Sequence, residues 1–123
     1  MKHLIFILSL IVALNSFAQE KKCSEFKVGT FIYANPKYSE WKITRTDSTQ
    51  IEISSKTGIE IYSDIVWKSD CEYILICENV LNSTSKDFIG KVFRVNITKT
   101  FSDRYVCISI NDNAKMKLEM IKT

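Results

Sequence analysis

Histidine, proline and glycine are nearly missing from this 123-residue chain, which has one His, one Pro and three Gly. The single histidine, His3, lies in an N-terminal stretch that reads as a cleaved leader, so the mature chain is expected to have none. That absence excludes Ser-His and Cys-His nucleophilic centres and every His-ligated metal site. With so little glycine there is no Gly-rich phosphate loop, and neither a nucleophile elbow nor a CxxC pair occurs. No cofactor is expected. Nothing resembles a linker, a low-complexity tract or an internal repeat, which points to one domain.

The leader is read from MKHLIFILSLIVALNSFAQEKKC. Lys2 and His3 form a short basic region, Leu4 to Leu14 an apolar run, and Ser16-Phe17-Ala18 the small-residue cleavage pattern, which places the cut before Gln19. The apolar run is shorter than the ~20 residues of a membrane span, so the mature chain is not expected to cross a membrane. Lipidation is disfavoured because Cys23 follows Glu20, Lys21 and Lys22. The expected organisation is a signal peptide at 1–18 and a single β domain at 19–123, exported to the periplasm or medium.

Charge excludes another class. Without Lys2, 16 basic residues face 14 acidic ones. The basic residues are spread among Thr, Ser and Glu instead of forming a stripe, so a nucleic-acid partner is not expected.

What is present is alternation. Short runs rich in Ile, Val, Thr, Tyr and Phe recur every 8 to 12 residues, separated by Asp, Asn, Ser or Gly. Eight strands are expected, at Phe26–Ala34, Trp41–Thr46, Thr49–Ser54, from Gly58 through Trp67, Cys71–Val80, Phe88–Lys99 with Gly90 as a candidate bulge, Arg104–Ile110 and Ala114–Ile121. The last segment is also rich in helix formers, but strict alternation favours a strand. Short connections favour antiparallel neighbours. The expected fold class is therefore all-β, an antiparallel up-and-down meander that curls and closes into a small barrel, removing its edges.

Four cysteines, Cys23, Cys71, Cys77 and Cys107, follow the leader. In an exported chain they are disulfide candidates. Cys71 and Cys77 share one extended strand, roughly 20 Å apart, too far to bond. In a meander, Cys23 and the start of the fifth strand lie at the same end, which favours Cys23–Cys71. Cys77 and Cys107 then sit two strands apart, as free thiols unless the sheet folds back.

The acid/base candidates are Glu52, Glu60, Asp64, Glu72 and Glu78. At least four occupy outward positions, and no inward pair of acids is apparent. A cysteine nucleophile would need a neighbour to lower its pKa, and only Lys and Arg are available. Asn82-Ser83-Thr84 and Asn96-Ile97-Thr98 match the glycosylation triplet, which short chains also contain by chance. No catalytic residue is therefore assigned, and a non-enzymatic role is expected.

The string Gly29-Thr30-Phe31-Ile32-Tyr33, followed by Trp41, Arg45 and Trp67, resembles the early Gly-x-aromatic pattern of calycins, whose lipocalins and fatty-acid-binding proteins enclose apolar ligands in a meander barrel. That resemblance implies Phe31, Tyr33, Trp41 and Trp67 as ligand-binding candidates. The alternative is that these aromatics simply fill the core, because a barrel of about eight strands is just wide enough to be packed or to hold one small ligand. As a whole, the mature chain resembles a family of small secreted proteins of Bacteroidetes through FKVGTFIYANPKYSEWKITRTDSTQ, IVWKSDCEYIL and KLEMIK. Some of that family carry the label DNA topoisomerase IV, which this chain contradicts: it is several times too short for nucleotide-binding and strand-cleaving domains. The expected partner is a small apolar or amphipathic ligand, with an envelope protein as the alternative.

Overall fold

The computed structural model describes residues 22–123, so the leader assigned to 1–18 lies outside the described residues. The chain forms eight antiparallel strands: β1 Gly29–Tyr33, β2 Trp41–Arg45, β3 Thr49–Ser54, β4 Glu60–Ser69, β5 Glu72–Leu81, β6 Val92–Thr100, β7 Arg104–Asn111 and β8 Ala114–Lys122. Each pairs with the next, and β8 pairs back onto β1 through Phe31 to Tyr33, closing the barrel in meander order. Closure pairs the first and last strands of the meander, so neither is a free edge along its whole length, although residues 114–118 of β8 extend beyond its pairing with β1. The segment that could have been a C-terminal helix is β8, as its alternation requires.

Two expected strands begin later than their aromatic residues suggest. Phe26 belongs to a 3-10 turn, Cys23–Phe26, and extended structure starts only at Gly29, whose φ of +137° is unfavourable for any other residue. Likewise Phe88 lies in the connection before β6; Gly90, with φ +86°, closes a turn there, and it forms the expected bulge, since Gly90 and Lys91 together oppose Cys77, the Gly90 amide donating to the Cys77 carbonyl and the Cys77 amide to the Lys91 carbonyl. Further register shifts fall at Tyr62/Ser63, Trp67/Ser69 and Ile97/Lys99.

Alternation fixes the interior. Ile65 on β4, Tyr73 on β5, Val95 and Ile97 on β6, Tyr105 and Cys107 on β7 and Met120 on β8 all point inward and are buried. Alternation also leaves Ile74 and Ile76 on the outside of β5, half-buried. The 3-10 turn at Cys23–Phe26 plugs one end, where Phe26 packs on Tyr105 with ring centroids 5.3 Å apart. Cys23 and Cys71 meet at that end at bonding distance, S–S 2.11 Å, closing a loop with a sequence separation of 48. Cys77 and Cys107 are buried and free.

Cross-linking a loop of this length restricts the unfolded chain by about 4 kcal/mol in the chain-entropy model. Replacing Cys23 and Cys71 together by serine should therefore lower unfolding free energy by about 2–4 kcal/mol in urea titration. No change would show that the plug is held by packing alone.

Candidate functional site

The residues that build the interior site come from the β2–β3 hairpin. Trp41, Ile43 and Arg45 share one face of β2. Residues directly opposite one another in an antiparallel pair point to the same side. The pairs Arg45↔Gln50, Ile43↔Glu52 and Trp41↔Ser54 therefore bring Gln50, Glu52 and Ser54 inward and turn Ile51 and Ile53 outward. Ile53 is 43% exposed while Arg45 is 2% exposed. β3 is thus inverted relative to hydrophobicity, with its polar face inside the barrel.

Arg45 sits just above the plug. Its Nε donates to Gln50 Oε1 at 2.9 Å and Nη1 to the Phe26 carbonyl at 2.9 Å. Nη2 donates to Tyr105 Oη at 2.9 Å and Tyr73 Oη at 3.3 Å, and the two phenols hydrogen-bond each other at 2.9 Å. The guanidinium also lies 4.5 Å from the Phe31 ring centroid and 4.9 Å from that of Tyr73. Among the described residues, no carboxylate lies within ion-pair distance of it. Burial works against its charge, but the Tyr73 and Tyr105 hydroxyls outweigh that and hold its pKa above the usual arginine value. It is a cation at every accessible pH.

Glu52 lies one layer higher. Tyr33 Oη donates to Glu52 Oε1 at 2.6 Å, and Gln50 is a second side-chain partner. Burial pushes the Glu52 carboxyl above its ordinary value, against the opposing pull of the Tyr33 hydrogen bond, Arg45 and Gln50. Burial, reinforced by Glu52, likewise holds the Tyr33 phenol well above its usual range. Cys107, close enough to feel Arg45, is nevertheless pushed up to about 12 by burial. It remains a thiol near neutrality and offers no thiolate.

Above this polar floor the barrel is hollow. A cavity of about 400 Å³ reaches from Arg45, Gln50 and Cys107 past Leu75, Val95 and Leu118 to a mouth at the end opposite the plug. Ser63 and Ser109 face it with short side chains, leaving room. Tyr38, Trp41, Ile61, Phe88 and Met116 surround the mouth. The Asn35 side chain accepts from the Lys37 amide, shaping the 3-10 turn Pro36–Tyr38 that carries Tyr38 against Tyr33, centroids 5.5 Å apart. Phe88 stacks on Phe93 at 5.4 Å.

Comparison with protein-family models, with curated proteins and with solved structures finds no match. The site is therefore read from its own geometry.

Of the four aromatic candidates, Tyr33 and Trp41 line the cavity. Phe31 is buried below it, packed edge-on against Tyr105 at 6.0 Å. Trp67 lies near the plugged end against Tyr73, centroids 4.7 Å apart, with Lys27 over its ring; its Nε1 is buried with no hydrogen-bond partner among the described residues. The structure thus brings two candidates together at the cavity and leaves two in the packed floor. Arg45, Gln50 and Glu52 were not singled out for the cavity from sequence. The signal that finds them is the register: once Trp41 and Ile43 point inward, a short turn at Asp47-Ser48 forces Glu52 and Gln50 to follow.

Two outcomes are expected. Arg45→Met leaves the Phe26 carbonyl and Gln50 Oε1 without their donor, and should destabilise by about 2–4 kcal/mol, against about 1 kcal/mol for Tyr105→Phe, in chemical denaturation. The Glu52 carboxyl binds its proton more tightly folded than unfolded, where its pKa is about 4.3. That contribution is fully present below the unfolded value and is lost as pH rises through the folded one. Urea midpoints from about pH 4 to 7 should therefore show Glu52→Gln gaining stability relative to the parent as pH rises. Parallel curves would mean that Glu52 does not titrate with a raised pKa.

Proposed function

We propose that this chain is an exported, non-enzymatic β-barrel module that binds one small amphipathic molecule inside the barrel. The carrying observation is the cavity of about 400 Å³, walled by apolar and aromatic side chains and floored by a few convergent polar groups. That is the usual make-up of a small-molecule site. A volume of this size corresponds to roughly 13 waters at about 30 Å³ each, which sets the size of the occupant. The paired Cys23 and Cys71 suit an oxidising compartment, the periplasm or medium. Cys107 as a thiol, with Glu52 the inward-facing acid among the five candidates, favours binding over catalysis. The alternative, an envelope protein-interaction domain with a filled core, draws on exposed Val66, Val92 and Ile110 outside the barrel, but the hollow upper half weighs against it.

Native mass spectrometry of the chain isolated from its own host should show a dissociable increment. The variant Ser109→Phe, which fills the cavity, should lose it. Bare chain in both would move the reading to the filled-core alternative.

A further inference from the structure

The two charged groups facing the hollow are not equivalent. Arg45 is 2% exposed, with Nε, Nη1 and Nη2 all engaged by neutral acceptors of the plug and floor. It presents no open fork to an anion. Glu52 is only half-buried, because it faces the cavity. Its known partners are neutral, Tyr33 and Gln50, and no lysine or arginine lies within ion-pair distance of it among the described residues. A carboxylate has about four acceptor positions, so capacity remains for a ligand donor. Between Glu52 and the mouth stand the rings of Tyr33, Tyr38, Trp41, Phe88 and Phe93. Aromatic faces attract cations, and the more strongly where water is excluded.

We infer that the cavity selects an amphipathic organic cation, an ammonium group on a short apolar body, with Glu52 as its counter-ion and the aromatic mouth around it. This rests on the binding reading above. The apolar body occupies the space beside Leu75, Val95 and Leu118, and the ammonium donates to the Glu52 oxygen left free by Tyr33. An anion of the same size meets Glu52 and finds Arg45 already engaged.

Isothermal titration of the disulfide-intact chain, residues 19–123, with n-octylamine, 1-octanol and n-octanoate at pH 7 tests this. Octylamine should bind at least tenfold more tightly than 1-octanol, and octanoate most weakly. Glu52→Gln should abolish the tenfold amine preference. Because the preference is a ratio within one protein, a reduced folded fraction leaves it unchanged. Octanoate or octanol binding as tightly as octylamine, or an undiminished preference in Glu52→Gln, overturns the cation assignment while the binding module stands. If none of the three binds, the binding reading itself falls.

Discussion

A single buried guanidinium organises the barrel. Removing a cation from water without a counter-ion is expensive unless its donors are met. Arg45 is met from four places in the chain: the Phe26 carbonyl, Gln50 on β3, Tyr73 on β5 and Tyr105 on β7. These partners converge only if the barrel closes and the N-terminal turn crosses beneath it. The Cys23–Cys71 pair fastens that turn at its start, so the covalent tie and the charged hub stabilise the same end.

This concentration at one end explains why the rest is hollow. Large side chains, Phe26, Phe31, Tyr73 and Tyr105, crowd around the guanidinium and are nearly or fully buried. Above them the inward positions include Ser63 and Ser109, which cannot reach across. A barrel of eight strands can be packed solid or can hold one small ligand. Here the two solutions share one barrel, stacked along its axis.

Much of this was legible in alternation. The strand order, the meander and the inward residues of β4 to β8 follow from period-2 patterning, and the Cys23–Cys71 pairing follows from which strands start at the same end. Two strand starts did not follow, because Phe26 and Phe88 carry the composition of strands while Gly29 and Gly90 set the backbone. The polar floor was hidden for a different reason. In β3 the isoleucines are the outward set, so hydrophobicity gives the wrong face and only pairing with β2 gives the right one. Phe31 and Trp67, read as cavity candidates beside Tyr33 and Trp41, belong to the packed end, a distinction of height along the barrel axis that residue type does not encode.

The spacing of Gln50 and Glu52 accounts for the separation of roles. Two residues apart on one strand, they face the same side about 6.6 Å apart along the strand. Gln50 stands level with Arg45 and accepts from its Nε. Had the acid occupied that position, it would have formed a direct ion pair and been absorbed into the floor. One step higher, Glu52 feels Arg45 without pairing with it, and burial keeps its carboxyl above the ordinary range. Gln50 therefore acts as a neutral spacer that completes the structural cation below and leaves the acid above it facing the hollow.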